Sequence, residues 1–447
     1  MAKNDAAERD GFAEFILEHA DDDVAALLLS RHKWKGIDVE LAASTIESRR
    51  KIRRKLPQWY MIPGLMLPSP LSAEQCSSAE TAAYKAGILS GICPKRPMIA
   101  DLTGGLGADA EAFSRLGGEV LYNEMNPVLA AAAGHNFRLL GADNIIIRNC
   151  RAGETPVREI LGGFSPDAVF VDPARRKPDG RKAFLPEDCS PDVTVLLPEL
   201  LEASRYVLLK ISPMADISMM AGRLNEAAGS RAVKEVHIVA AAGECKELLF
   251  LLDREHDGDF VEIVSDTGGR LVFSPSEESG SAPCLPENEE MLPSLRGRLL
   301  FEPCKALMKA GAFNLPCSRF GMMKLGRSTH LYITDGIRAE AAWAGDFFFV
   351  KEILPLCRSS FRHIGQKWPC AEFTARNIRM TSEQLRARCE SRSGGDTHVF
   401  GVRIDFRNGG GDDYLIVSDA SAKTPCPRPT NGVPDSLHSR ASRPDIS

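Results

Sequence analysis

The sequence predicts an α/β fold. A Rossmann-like, mostly parallel sheet is closed by a terminal antiparallel hairpin, with a helical region before it and small α+β modules after it. Three observations carry this expectation. Short apolar runs alternate with helical stretches from Met98 onward, the pattern of a parallel sheet covered on both faces. The run Ile99-Ala-Asp-Leu-Thr-Gly-Gly-Leu-Gly-Ala-Asp109 reads as strand, glycine turn and helix start, an arrangement that brings backbone amides close to a bound nucleotide. Only residues 242–245 separate the apolar runs 233–241 and 246–252. That gap is too short for a crossover helix, so these two strands pair antiparallel.

At 447 residues the chain is too long for one ordinary core,. Composition shifts divide it into an N-terminal helical region (1–90), the sheet domain (91–275), a linker with a small mixed module (276–330), a second small domain (331–419) and a Pro- and Ser-rich tail (420–447) expected to be disordered,. No apolar run is long enough to span a membrane, and the first residues are too polar for a secretory signal,. The 12 cysteines are scattered, with no Cys-x-x-Cys pair. This points to reduced thiols, a cytoplasmic setting and no structural zinc. The net charge of −5 hides an asymmetry: residues 295–410 hold 19 Lys and Arg against 10 Asp and Glu, a net of +9. A basic region in an acidic chain fits an anionic partner such as RNA.

Taken in order, Phe12, Phe15, Ile16, Val24, Leu27 and Leu28 recur at helical spacing,. A second helical stretch, 38–56, ends in six basic residues out of seven, Arg49 to Lys55. These are read as a phosphate grip rather than a solvated face. Pro57, Pro63, Pro68 and Pro70 mark a linker in which Trp59, Tyr60, Met61 and Leu65 are expected to pack,. A helix follows at 72–89, with Ser72 and Gln75 as a capping box,. Strands are expected at 98–102, 119–123, 143–147, 167–171 and 205–211, with helices at 109–116, 127–140, 154–161 and 192–203 between them. A hairpin at 259–265 and 270–274 follows the closing pair,. The small modules show strands near 298–302, 329–333, 346–354, 372–378, 397–405 and 413–417, with helices at 303–311 and 382–390.

The glycine turn is not Gly-x-Gly-x-x-Gly, so the dinucleotide fingerprint is absent,. An acid before the turn and another after the next strand instead suit S-adenosylmethionine. Asp101 can take the methionyl ammonium. Thr103 and the amides of Gly104, Gly105 and Gly107 surround the ribose and carboxylate, and Asp109 at the helix start is counted with the cofactor-binding residues. Glu124 can accept both ribose hydroxyls,. Met125 is placed to pack on adenine, and Asn149 and Cys150 fall where the adenine amino group is read,. A glycine turn alone also serves as a plain βα loop; Glu124 and the strand order separate the two readings. On the acceptor side, Asp172-Pro173 ends the fourth strand, where a carboxylate can orient an exocyclic amine toward the sulfonium methyl,. Ala174 stands where base-nitrogen enzymes have an aromatic, with Phe184 further along as a substitute,. Arg175, Arg176 and Lys177 follow, and Lys210 ends the fifth strand. The loop cations are expected to meet substrate phosphates, and Lys210 either faces the substrate or caps the sheet edge. The histidines are dispersed, so no metal cluster is expected.

Asp101-Leu-Thr-Gly-Gly-Leu-Gly-Ala-Asp, Glu124-Met-Asn and Val171-Asp-Pro-Ala-Arg resemble class I S-adenosylmethionine-dependent methyltransferases. More narrowly, the chain resembles a bacterial group found in Bacteroidetes that carries a ferredoxin-like module and a C-terminal THUMP-like domain. Glu74-Gln-Cys-Ser-Ser, Tyr84-Lys85, Cys245-Lys-Glu-Leu, Phe301-Glu-Pro, Lys309-Ala-Gly-Ala-Phe, Thr329-His-Leu-Tyr and Arg376-Asn377 are similar to its motifs. The likeness covers residues 10–418. The glycine motif also resembles small-subunit ribosomal RNA guanine-N2 methyltransferases. The resemblance implies a class I methyltransferase sheet, S-adenosylmethionine as donor, and tRNA or rRNA as substrate, with guanine N2 the favoured acceptor. It leaves open a catalytically silent RNA-binding protein that keeps the cofactor, and a methyltransferase acting on a non-RNA substrate. Oligomeric state stays open.

Overall fold

The computed structural model describes residues 11–175, 189–241, 244–266 and 269–419. They fall into two compact units. The first holds residues up to 265 with 270–280 and 305–312; the second holds 266–269, 281–304 and 313 onward.

The first unit opens with helices α1 (11–18), α2 (Val24–Leu29) and α3 (Val39–Ile52). Asp23 and Asp38 cap α2 and α3 by accepting from Ala25 N and Leu41 N,. Phe12, Phe15, Ile16, Leu27 and Ile46 form their shared core. The basic run at the end of α3 departs from the phosphate expectation. Arg49 donates to the carbonyls of Ile62 (2.8 Å) and Tyr60 (2.6 Å), and Arg50 to those of Ala20 and Asp22. Lys51 pairs with Glu47 and Glu74, and Lys55 reaches the Glu74 carbonyl. Arg49 and Arg50 thus satisfy carbonyls of loops that make no regular ladder,.

Within that proline segment, α4 (Pro57–Tyr60) buries Trp59, and Leu65 is buried beyond it, but Met61 is 76% exposed, contrary to expectation. The single helix expected at 72–89 is two, α5 (Pro70–Gln75) and α6 (Ala79–Ile92). Ser69, not Ser72, caps the first, and Ser78 caps the second by accepting from Thr81 N. A serine side chain that captures a backbone N–H competes with helix continuation, and here two such caps win.

The sheet then runs β1 (Ile99–Asp101), α7 (Ala108–Ser114), β2 (Val120–Asn123), α8 (Pro127–Leu139), β3 (Ile145–Arg148), α9 (Val157–Leu161) and β4 (Ala168–Val171). A short ribbon of β5 (Ala174–Arg175) and β6 (Cys189–Ser190) precedes α10 (Val193–Ala203), β7 (Tyr206–Ile211) and α11 (Ile217–Ala228). β8 (Val233–Ala241), β9 (Glu244–Asp253), β10 (Val261–Asp266) and β11 (Gly269–Phe273) complete a nine-stranded sheet ordered β11-β10-β8-β9-β7-β4-β1-β2-β3. The five strands from β3 to β7 are parallel. β9 inserts antiparallel between β7 and β8, as expected of the closing pair. β10 then adds parallel to β8. Helix α11 goes beyond the expected elements, although Asp216 caps its start and Gly229, at φ +66°, ends it,. Ile99, Phe113, Tyr122, Phe137, Phe170, Leu208 and Leu249 share one core, each contributing about 1.5–3 kcal/mol by burial.

After α12 (Pro275–Gly280) come β12 (Leu299–Pro303), α13 (Lys305–Lys309), α14 (Leu315–Phe320), β13 (Met323–Lys324), β14 (Tyr332–Thr334), β15 (Gly345–Pro355), α15 (Arg358–Lys367), β16 (Glu372–Arg376), α16 (Ser382–Cys389), β17 (Thr397–Asp405) and β18 (Gly411–Asp419). The second unit's strands form one sheet ordered β13-β14-β12-β15-β18-β17-β16. The boundary placed at 330 does not divide it: β12 pairs with both β14 and β15. Leu300, Phe348, Phe400 and Ile416 pack in one cluster, Phe361, Ile364, Leu385 and Val417 in another. The tail expectation falls on residues 420–447, outside the described residues.

Candidate functional site

In an open α/β sheet, ligands bind beyond the carboxyl ends of the strands. Here β1, β2, β4 and β7 deliver Asp101, Glu124, Asp172 and Lys210 to that edge. The turn after β1 is built for close approach. A Cβ on Gly104 would lie 2.0 Å from the Tyr122 ring, and Gly107 starts α7 at φ +94°,. The Tyr122 hydroxyl donates to Gly105 O at 2.6 Å.

Glu124 is fixed by two backbone donors. Gly105 N reaches one oxygen and Asn126 N the other, both at 2.8 Å. Each oxygen keeps a lone pair for a diol. Asn149 donates to Glu124 O, while Cys150 is held through its backbone by the Asn123 amide. Met125 is half-exposed at the same edge.

Asp101 is buried. One oxygen accepts from Thr103 N at 3.1 Å; the other is buried with no partner. Burial, then the charges of Asp109, Asp172 and Glu124, push its carboxyl well above the usual range,. A bare carboxylate oxygen among other acids is a place for a cationic ligand group. The α-ammonium of a bound S-adenosylmethionine could be held there, and its ribose diol at Glu124. The Thr103 hydroxyl oxygen accepts from Asp172 N at 2.6 Å, so this one residue, through its backbone N–H and its side chain, joins the two aspartates.

Asp109, expected among the cofactor-binding residues, meets side chains of the protein itself. It accepts from Ser77 Oγ at 2.7 Å and faces Lys85 Nζ at 3.2 Å. Lys85, fully buried on α6, also donates to Ser77 Oγ (3.0 Å) and to both Glu247 oxygens (2.9 and 3.0 Å). Ser77, Lys85 and Glu247 had no assigned role in the sequence, though each lies in a motif that the resemblance quotes. The α5–α6 break is what brings Ser77 there.

Lys210 lies at the same strand edge, and its ammonium donates to Asp172 Oδ2 at 2.5 Å. Burial opposes its charge, but Asp172, Glu247 and Asp109 outweigh this and hold it above the ordinary lysine value. Pro173 is buried. Ala174 is exposed and pairs with Ser190 in the β5–β6 ribbon. Arg175 lies on β5; Arg176, Lys177 and Phe184 lie outside the described residues.

Residues 299–340 match a family of ferredoxin-like domains. Two uncharacterised S-adenosylmethionine-dependent methyltransferases of Mycobacterium tuberculosis, from strains CDC 1551 and H37Rv, are each 25% identical over 337 residues, 74% of this chain and 83% of theirs. A crystal structure of a candidate methyltransferase from Porphyromonas gingivalis W83 superposes with a TM-score of 0.76 at 29% identity, over 92% of this chain and 98% of that one. These relatives support S-adenosylmethionine as the cofactor. Among the described residues, no helix is long and apolar enough to cross a membrane.

Proposed function

We propose that this chain is an S-adenosylmethionine-dependent methyltransferase acting on tRNA or rRNA. The observation that carries this reading is the pair of aspartates joined through Thr103: Asp101, with its unpartnered oxygen beside the glycine turn, and Asp172 at the open strand end. Asp101 and Glu124 hold the cofactor at its ammonium and ribose, and the glycine turn lets it approach the backbone. The bound cofactor supplies an activated methyl group. Asp172 orients the acceptor in line with it, so that catalysis is mainly positioning.

The basic stretch 295–410 supports an RNA substrate,. A THUMP-like role for the last strands and a cytoplasmic setting belong to the same reading. From sequence alone the Asp-Pro pair suggests a base nitrogen, guanine N2 foremost, as the acceptor; the side chains around Asp172 bear on that choice below.

The test is Asp172→Ala. Calorimetry should show retained cofactor binding. Transfer of tritiated methyl to RNA from cells lacking the gene should fall by about 100-fold or more. Unchanged transfer would remove Asp172 from the site.

A further inference from the structure

We infer that the acceptor is a hydroxyl, the ribose 2′-hydroxyl of RNA, rather than a base amine. The inference rests on the methyltransferase reading above and concerns what faces the methyl group.

The argument is one of donors and acceptors. An exocyclic amine offers two N–H donors and must be held by acceptors. Here one Asp172 oxygen is already occupied by the Lys210 ammonium at 2.5 Å. An ammonium has three donors and no acceptor. It would set N–H against N–H, and its charge would oppose the positive charge that grows on a nitrogen as it is methylated. The residue after Pro173 is Ala174, which offers no ring on which a base could stack.

A hydroxyl complements the same pair. Its proton points to the remaining Asp172 oxygen, and its own oxygen accepts from Lys210. Asp172 and Lys210 are the open end of the cluster, with side chains 34% and 16% exposed. Behind them Lys85 and Glu247 are closed off, at 0% and 3%. Glu247 and Asp109 act on Lys210 together with Asp172. Two buried lysines and their carboxylates therefore keep a charged donor and a charged acceptor side by side at the mouth of the site.

The step balances without a further reactant. The acceptor oxygen bonds to the methyl carbon as the carbon–sulfur bond breaks, and the sulfur keeps that electron pair. The hydroxyl proton passes to Asp172, acting as general base. Lys210 stabilises the negative charge developing on oxygen during transfer. Lys210 is thus a catalytic residue, and Lys85 and Glu247 are positioning residues.

The experiment uses the full chain, tritiated S-adenosylmethionine and total RNA from cells lacking the gene. The labelled RNA is hydrolysed in alkali, which cleaves only beside a free 2′-hydroxyl. The expected label is in alkali-resistant dinucleotides. Label in mononucleotides carrying a methylated base, such as N2-methylguanosine, overturns the hydroxyl acceptor and leaves the RNA methyltransferase reading intact. No label in any RNA, with S-adenosylhomocysteine bound normally in calorimetry, overturns both. Lys210→Met should lose about 100-fold or more of the transfer with S-adenosylhomocysteine affinity unchanged. Lys210→Arg, which keeps a cation on Asp172, should recover part of it. A Lys210→Met chain that transfers at the original rate overturns the assignment.

Discussion

Asp101 sits at the end of a central strand with one carboxylate oxygen buried and unpartnered. Its folded pKa lies above the unfolded value near 4,. Between those two values the unfolded chain binds fewer protons than the folded one, so this residue costs stability as pH rises through that window. Asp101→Asn should therefore stabilise the cofactor-free chain by about 1–3 kcal/mol near neutrality. The gain should shrink toward pH 4 and the S-adenosylmethionine-induced rise in Tm should disappear. Scanning calorimetry at pH 5 and 8 reads both. Asp101, Glu124 and the glycines were legible in the sequence because the donor side is local: strand, turn and next strand lie within one short stretch. For Lys210 the sequence left two readings, facing the substrate or capping the sheet edge. A lysine at a strand end reads the same in both cases, and only the register of β4 against β7 shows that Asp172 is its neighbour.

Helix α6 and strand β9 are joined by the Lys85–Glu247 pair, with Asp109 at the start of α7 as third partner. Removing one member of such a buried set leaves the others charged and unpaired. Lys85→Met should cost about 3–5 kcal/mol, read by urea unfolding. Lys85→Met with Glu247→Leu should recover much of that loss, since an apolar pair of similar volume often replaces a buried ion pair. The alternation of strands and helices and the antiparallel closure were legible, because period and gap length fix them. The break between α5 and α6 was not, since Ser72 and Ser78 lie in equally plausible capping contexts and tertiary contacts select between them. The internal use of Arg49 and Arg50 was hidden for a related reason: their partners are backbone carbonyls, which carry no sequence signal.

At the scale of the molecule, one unit carries the candidate site and the other a single seven-stranded sheet. The surplus of +9 over residues 295–410 makes a prediction of its own. Affinity of the full chain for tRNA or rRNA should fall steeply with salt. The slope of log K against log salt should be about −0.7 to −0.9 per phosphate neutralised. Filter binding between 50 and 200 mM salt measures it, and a flat line would remove the basic region from RNA contact. The second unit's sheet was only partly legible. Its strands were anticipated, but their union across residue 330 depends on β12 pairing with strands on both sides, a choice no local pattern encodes.

Lys85 and Glu247 are 162 residues apart in the chain, and β9 must slide between β7 and β8 to join them. Contacts at such sequence separation slow folding. During synthesis the glycine turn, Glu124, Asp172 and Lys210 all leave the ribosome before β9 has been made. The nascent protein thus carries both sides of its site before the Glu247 carboxylate that pairs with Lys85 exists.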